Sequence, residues 1–118
     1  MKIQEISISK FKWEVKVLTD VSCNDLSIIN KELERMNCPK ELVDKANEQF
    51  SKCKDNIGMS YSNNSINQTL IIIGKTEDKE QFINTLFHEV YHFIDQLSVV
   101  SNIKDVEQKA TLIGTFAM

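Results

Sequence analysis

Over residues 10 to 18 polarity alternates through Val17: Phe11, Trp13, Val15 and Val17 on one side, Lys10, Lys12, Glu14 and Lys16 on the other. Successive side chains of a strand point to opposite faces, so this stretch predicts a strand with one buried face. Ile3, Ile6 and Ile8 ahead of it predict a weaker strand or an extended lead-in. The period then changes. Leu26, Ile29 and Leu33 recur at helical spacing behind Asp25, which predicts an N-cap and a helix to about Met36. Asn37-Cys38-Pro39 ends that helix, and Pro39 suits the first turn of another reaching about Cys53, with Leu42, Val43, Ala46 and Phe50 turned inward.

Ile57 to Tyr61 and Ile66 to Ile73 predict a hairpin turning at Ser62-Asn63-Asn64-Ser65. Thr76, with Glu77 and Asp78 after it, predicts the cap of a long helix running to about Val99, its acids near the positive end of the dipole. A turn at Ser101-Asn102 and a last helix over about Lys104 to Phe116 complete the chain. With no repeat or linker, residues 1–118 make one domain. The fold class is α+β: a small mixed or antiparallel sheet packed on the long helix, which a C-terminal helix follows.

Net charge is -3 and no basic stripe is present, which argues against nucleic acid or an anionic membrane as partner. The longest apolar run, Leu70 to Ile73, is far too short to cross a bilayer, and no signal-peptide pattern opens the chain. A cytoplasmic location is the resulting expectation. Cys23, Cys38 and Cys53 are odd in number and far apart, which suits reduced thiols better than a disulfide framework. The oligomeric state is not legible.

The chemistry is concentrated in His88-Glu89-Val90-Tyr91-His92, which holds both histidines of the chain. Residues four apart share a helix face, so His88 and His92 can grip one divalent metal, and Glu89 can act as general base toward a water on it. On a helical wheel Phe82, Ile83, Leu86, Phe87, Val90, Phe93, Ile94 and Leu97 fill one arc. His88, His92 and Glu89 fall in the opposite, polar arc. This removes the reading of two hydrogen-bonded core histidines and leaves a solvated face as the bland alternative. Asp95, one turn past His92, is either an orienting partner for an imidazole or an exposed acid.

A catalytic zinc takes three protein ligands. A metzincin needs glycine at position 95 and histidine at 98, where this chain has Asp95 and Ser98. The remaining candidates are carboxylates of the last helix, Asp105 and Glu107. If the chain reverses near Ser101-Asn102, His92 lies about 10 Å before the reversal and Glu107 about 6 Å after it, which favours Glu107. Ala110, Thr111 and Gly114 share its face and permit close helix approach. The alternative for Glu107 is a first-turn acid favoured by the helix dipole, with Asp105 as N-cap.

His88-Glu89-Val90-Tyr91-His92 followed by Glu107-Gln108-Lys109-Ala110 resembles the gluzincin pattern, and the shortness resembles minigluzincins and ImmA/IrrE-type peptidases. The resemblance covers roughly residues 66 to 114. It implies a zincin-like fold, zinc on His88, His92 and Glu107, and Glu89 as general base in peptide-bond hydrolysis by a metal-activated water. It also implies that the Leu70 to Gly74 strand edges the cleft and holds a peptide or protein substrate. Gluzincins add a histidine, tyrosine or arginine that steadies the oxyanion. No further histidine exists here, and Tyr61 on the hairpin is the candidate, against ordinary strand packing. The rival expectations are a catalytically weak zincin-like module that binds or regulates a protein, and a helical regulatory protein. The two early helices of the latter, about 25–36 and 40–53, suggest a helix-turn-helix, although the acidity and long link argue against DNA binding.

Overall fold

The computed structural model describes residues 1–54 and 57–101. Four strands form one sheet: β1 (Lys2–Ile8), β2 (Trp13–Val21), β3 (Gly58–Asn63) and β4 (Gln68–Gly74), in the spatial order β1-β2-β4-β3. β1 pairs antiparallel with β2, β2 parallel with β4, and β3 antiparallel with β4. The sheet is therefore mixed, with β2 and β4 at its centre. Helices α1 (Leu26–Arg35) and α2 (Lys40–Ser51) lie between β2 and β3 in the chain, and α3 (Lys79–Ser101) follows β4.

The alternation of β2 divides two cores. Trp13, Val15 and Val17 join Ile71 and Ile73 on the face covered by α3, against Val90, Phe93, Ile94 and Leu97. Leu18, Val21, Leu70 and Ile72 face α1 and α2, which contribute Ile29, Leu33, Ala46 and Phe50. Leu70 to Ile73 are thus buried on both sides of the sheet, as a strand between covered faces requires. Two polar links add to the packing, one across the sheet and one between helices. Trp13 Nε1 donates to Thr69 Oγ1 at 2.8 Å, and that hydroxyl lies 2.7 Å from Ser62 Oγ, satisfying buried polar atoms beneath α3. Asn30 and Asn47 exchange amide hydrogen bonds of 2.9 and 2.8 Å between α1 and α2.

Several boundaries move. β2 begins at Trp13 because Ser9–Phe11 form a 3₁₀ turn closed by Lys12 in the left-handed region, φ 52°. Ahead of α1, Ser22 caps a 3₁₀ turn over Cys23–Asp25, and Asp25 Oδ2 accepts the Ser22 N–H at 2.9 Å in a capping box. The start signal expected at Asp25 acts one turn earlier. Asp78, not Thr76, opens α3, its Oδ1 accepting the Glu80 N–H at 2.9 Å. The hairpin turn falls between Asn63 and Gln68, with Asn67 at φ 52°.

The cysteines depart furthest from expectation. Cys23 and Cys53, with Cα atoms 4.9 Å apart, form a disulfide, and Cys38 alone is free. The bond ties the turn after β2 to the chain just past α2. Spacing of 30 residues carried no hint of it, because the pairing is made by the packing of α1 and α2. Among the described residues no helix is long and apolar enough to cross a membrane. The last helix expected over Lys104 to Phe116 lies outside the described residues.

Candidate metal centre

α3 buries Val90, Phe93, Ile94 and Leu97 at helical spacing, and this fixes the rotation of the motif. His88 and His92 consequently stand on the exposed side, one turn apart. Their rings meet edge to face with centroids 4.5 Å apart, and the two Nε2 atoms lie 3.0 Å from one another. Two zinc-bound nitrogens at tetrahedral angle stand about 3.3 Å apart, given zinc–nitrogen bonds near 2.0–2.1 Å. The pair therefore needs an adjustment of only a few tenths of an ångström to share one divalent ion. As neutral imidazoles, the two nitrogens can alternatively share a single hydrogen.

Glu89 behaves differently from its place on the wheel. It is 7% exposed, although the polar arc predicts a solvated side chain. The burial comes from β3. A Cβ built on Gly58 lies 2.7 Å from Thr85 Cγ2, 3.2 Å from Glu89 Cγ and 3.3 Å from Glu89 Oε1. Only a residue without a side chain lets the helix pass this close to the strand, and the carboxylate rests in that gap. Glu89 and His92 line one bank of an open cleft of about 330 Å³, shared with Gly58, Met59 and Ser60 of β3 and with residues of α2.

The strand beside the motif is β3, not β4. The sequence-based expectation made Leu70 to Gly74 the cleft edge, yet β4 is held between β2 and β3 and cannot offer a free edge. β3 can: among the described residues it pairs with β4 alone. The Gly74 N–H donates to the Ile57 carbonyl at 2.6 Å, and antiparallel pairs alternate between bonded and non-bonded. Met59, Tyr61 and Asn63 are then bonded to β4, while the N–H and C=O groups of Gly58, Ser60 and Ser62 point outward.

Tyr61 is not brought to the motif. Strand alternation turns it, with Met59, toward the α1 and α2 core. Burial pushes its hydroxyl above the ordinary tyrosine range, and the nearby Cys38 thiol raises it further. The structure gives it strand packing. Tyr91, expected at the rim of the apolar arc, is 53% exposed beside the histidines. Asp95 is exposed one turn on. Glu107 and Asp105 lie outside the described residues, and among those described no set of three histidine, cysteine, aspartate or glutamate side chains is gathered as a metal site. Leu42 was missed as a cleft residue. It was expected in the core but is 37% exposed, and it lines the far bank.

The chain matches no protein-family model, no curated protein and no solved structure.

Proposed function

We propose that the chain is a zincin-like zinc peptidase that hydrolyses a peptide bond in an extended peptide laid along β3. The observation that carries this reading is the convergence of His88 and His92 Nε2 at 3.0 Å beside a carboxylate, Glu89, buried in a cleft edged by a free strand. The donor chemistry fits a divalent metal: His88 and His92 supply imidazole nitrogens, and Glu107 is the carboxylate the sequence offers as third ligand. Such a metal supplies a Lewis acid that polarises the scissile carbonyl and lowers the pKa of water.

The chain's own groups do the rest. The outward N–H and C=O groups of Gly58, Ser60 and Ser62 bind the peptide backbone and hold it straight, as added strands are held on exposed sheet edges. Glu89, set over Gly58, removes a proton from the attacking water and returns it to the departing amine. Its burial against β3 keeps bulk water from competing for that proton. A cytoplasmic setting for this peptidase carries with it reduced Cys23 and Cys53, since the bond between them persists only under oxidising conditions.

The test is metal content and turnover of the purified protein beside Glu89→Gln and His88→Ala. The wild type should hold about one zinc and cut peptides. Glu89→Gln should keep the zinc and lose at least about a hundredfold in rate, as removal of a general base does. His88→Ala should lose both. Zinc binding without turnover in the wild type leaves a zincin-like binding module, and equal turnover by wild type and Glu89→Gln sinks the peptidase reading.

A further inference from the structure

The far bank of the cleft is α2, which has no part in the metal motif. Leu42, Lys45, Ala46 and Gln49 line it, at positions i, i+3, i+4 and i+7, one continuous face of the helix. Ala46 is buried, but Leu42 presents a large apolar side chain to the opening. Lys45 is the one cation among the lining residues and forms no ion pair with any described residue. Its neighbour one turn on, Glu48, faces Lys52 instead, at 3.9 Å.

A peptide added to the free edge of β3 turns alternate side chains to opposite faces of the sheet. Those on one face meet Glu89 and His92. Those on the other meet Leu42, Met59 and Lys45. Side chains two residues apart on an extended peptide stand about 6.7 Å from one another, and residues three apart on a helix about 5–6 Å between Cβ atoms. One peptide can therefore offer a side chain to Leu42 and another to Lys45 together.

We infer that this cleft selects extended peptides carrying an apolar side chain and an acidic one two residues apart, in either order, the first packed on Leu42 and Met59 and the second paired with Lys45. The inference rests on the proposed function in taking the edge of β3 as the place where the peptide lies. The near bank acts on the backbone of any sequence. The far bank chooses.

The experiment uses the full chain as Glu89→Gln, so that bound peptides survive, with dye-labelled eight-residue peptides of alanine blocked at both ends. Three pairs are placed two residues apart, in both orders: Leu with Asp, Ala with Asp, and Leu with Lys. Anisotropy titration should show Leu with Asp binding about tenfold tighter than Ala with Asp, the scale of a side chain filling an apolar pocket. It should bind about threefold tighter than Leu with Lys, the scale of an exposed ion pair. Adding Lys45→Glu should invert the charge preference, and adding Leu42→Ala should erase the Leu preference. Both positions are exposed, and an unchanged melting curve verifies folding. Equal affinities, or an order that neither substitution alters, overturn the inference. If the ranking appears but wild type cuts nothing, the selectivity stands and the peptidase reading falls. If wild type cuts all three pairs equally, the peptidase reading stands and the selectivity falls. If no peptide binds and none is cut, both fall.

Discussion

Gly58 shows how one small residue sets the site. Its missing side chain lets Thr85 and Glu89 lie against β3, and no other residue type fits there without displacing the helix. Gly58→Ala should cost about 1–3 kcal/mol by overpacking, read as a lowered denaturation midpoint. Combining it with Thr85→Ala, which removes the methyl 2.7 Å from the new Cβ, should recover most of the loss. If the double variant is no more stable than Gly58→Ala, the contact is not what makes the glycine necessary. On the other face, burial alone would raise the Glu32 carboxyl. Hydrogen bonds from Lys16 at 2.9 Å and from Arg35 at 3.0 and 3.2 Å outweigh burial and hold it below the ordinary glutamate value. A carboxyl depressed in the folded state adds stability above its unfolded pKa, and this is lost as pH falls through the folded one. Glu32→Gln should therefore be less stable than wild type at neutral pH by about 1–2 kcal/mol, a difference that shrinks toward acid. A gap that widens with acid contradicts the assignment.

At the scale of elements, α2 (Lys40–Ser51) is held through its C-terminal half, by Asn47 on Asn30 and, just past its last residue, by Cys53 on Cys23. Cys53→Ser should lower stability by about 2–4 kcal/mol under oxidising conditions and leave the reduced protein nearly unaffected. Equal midpoints for oxidised wild type and variant would show that the bond is dispensable. The elements themselves were largely readable from periodicity. The alternation of Trp13, Val15 and Val17 marks the face of β2 turned to α3, and Val90, Phe93, Ile94 and Leu97 mark the face of α3 that covers it. What periodicity could not say was which strand is at the edge, because that depends on pairing partners distant in sequence. One signal was present and passed over: Leu70 to Ile73 is an unbroken apolar run, the mark of a strand covered on both faces. Leu42 and Glu89 exchanged their expected environments for a related reason. Both lie where a helix overhangs the sheet edge, and a wheel knows the core but not the cleft. His88 and His92 were legible because their spacing is local. The disulfide was not, since it depends on how two helices dock.

At the scale of the molecule, β2 and β4 are the hinge of the architecture, since both cores take residues from each. They pair in parallel, so the whole of α1, α2 and β3 must be looped out before Val21 can reach Gly74. Neither core closes until that loop does, and the delay falls on the least local strand pairing of the sheet. The Cys23–Cys53 bond lies inside the loop and removes 30 residues from its effective length. Shortening a flexible loop by roughly half saves about 0.6 kcal/mol of closure entropy, near threefold in rate. The oxidised chain should thus refold faster than the reduced one by about that factor, measured by stopped-flow dilution from denaturant. Equal rates would mean that the sheet centre assembles after the step that limits folding. Redox state, seen this way, sets the tempo at which the chain finds its sheet as well as the strength with which it keeps it.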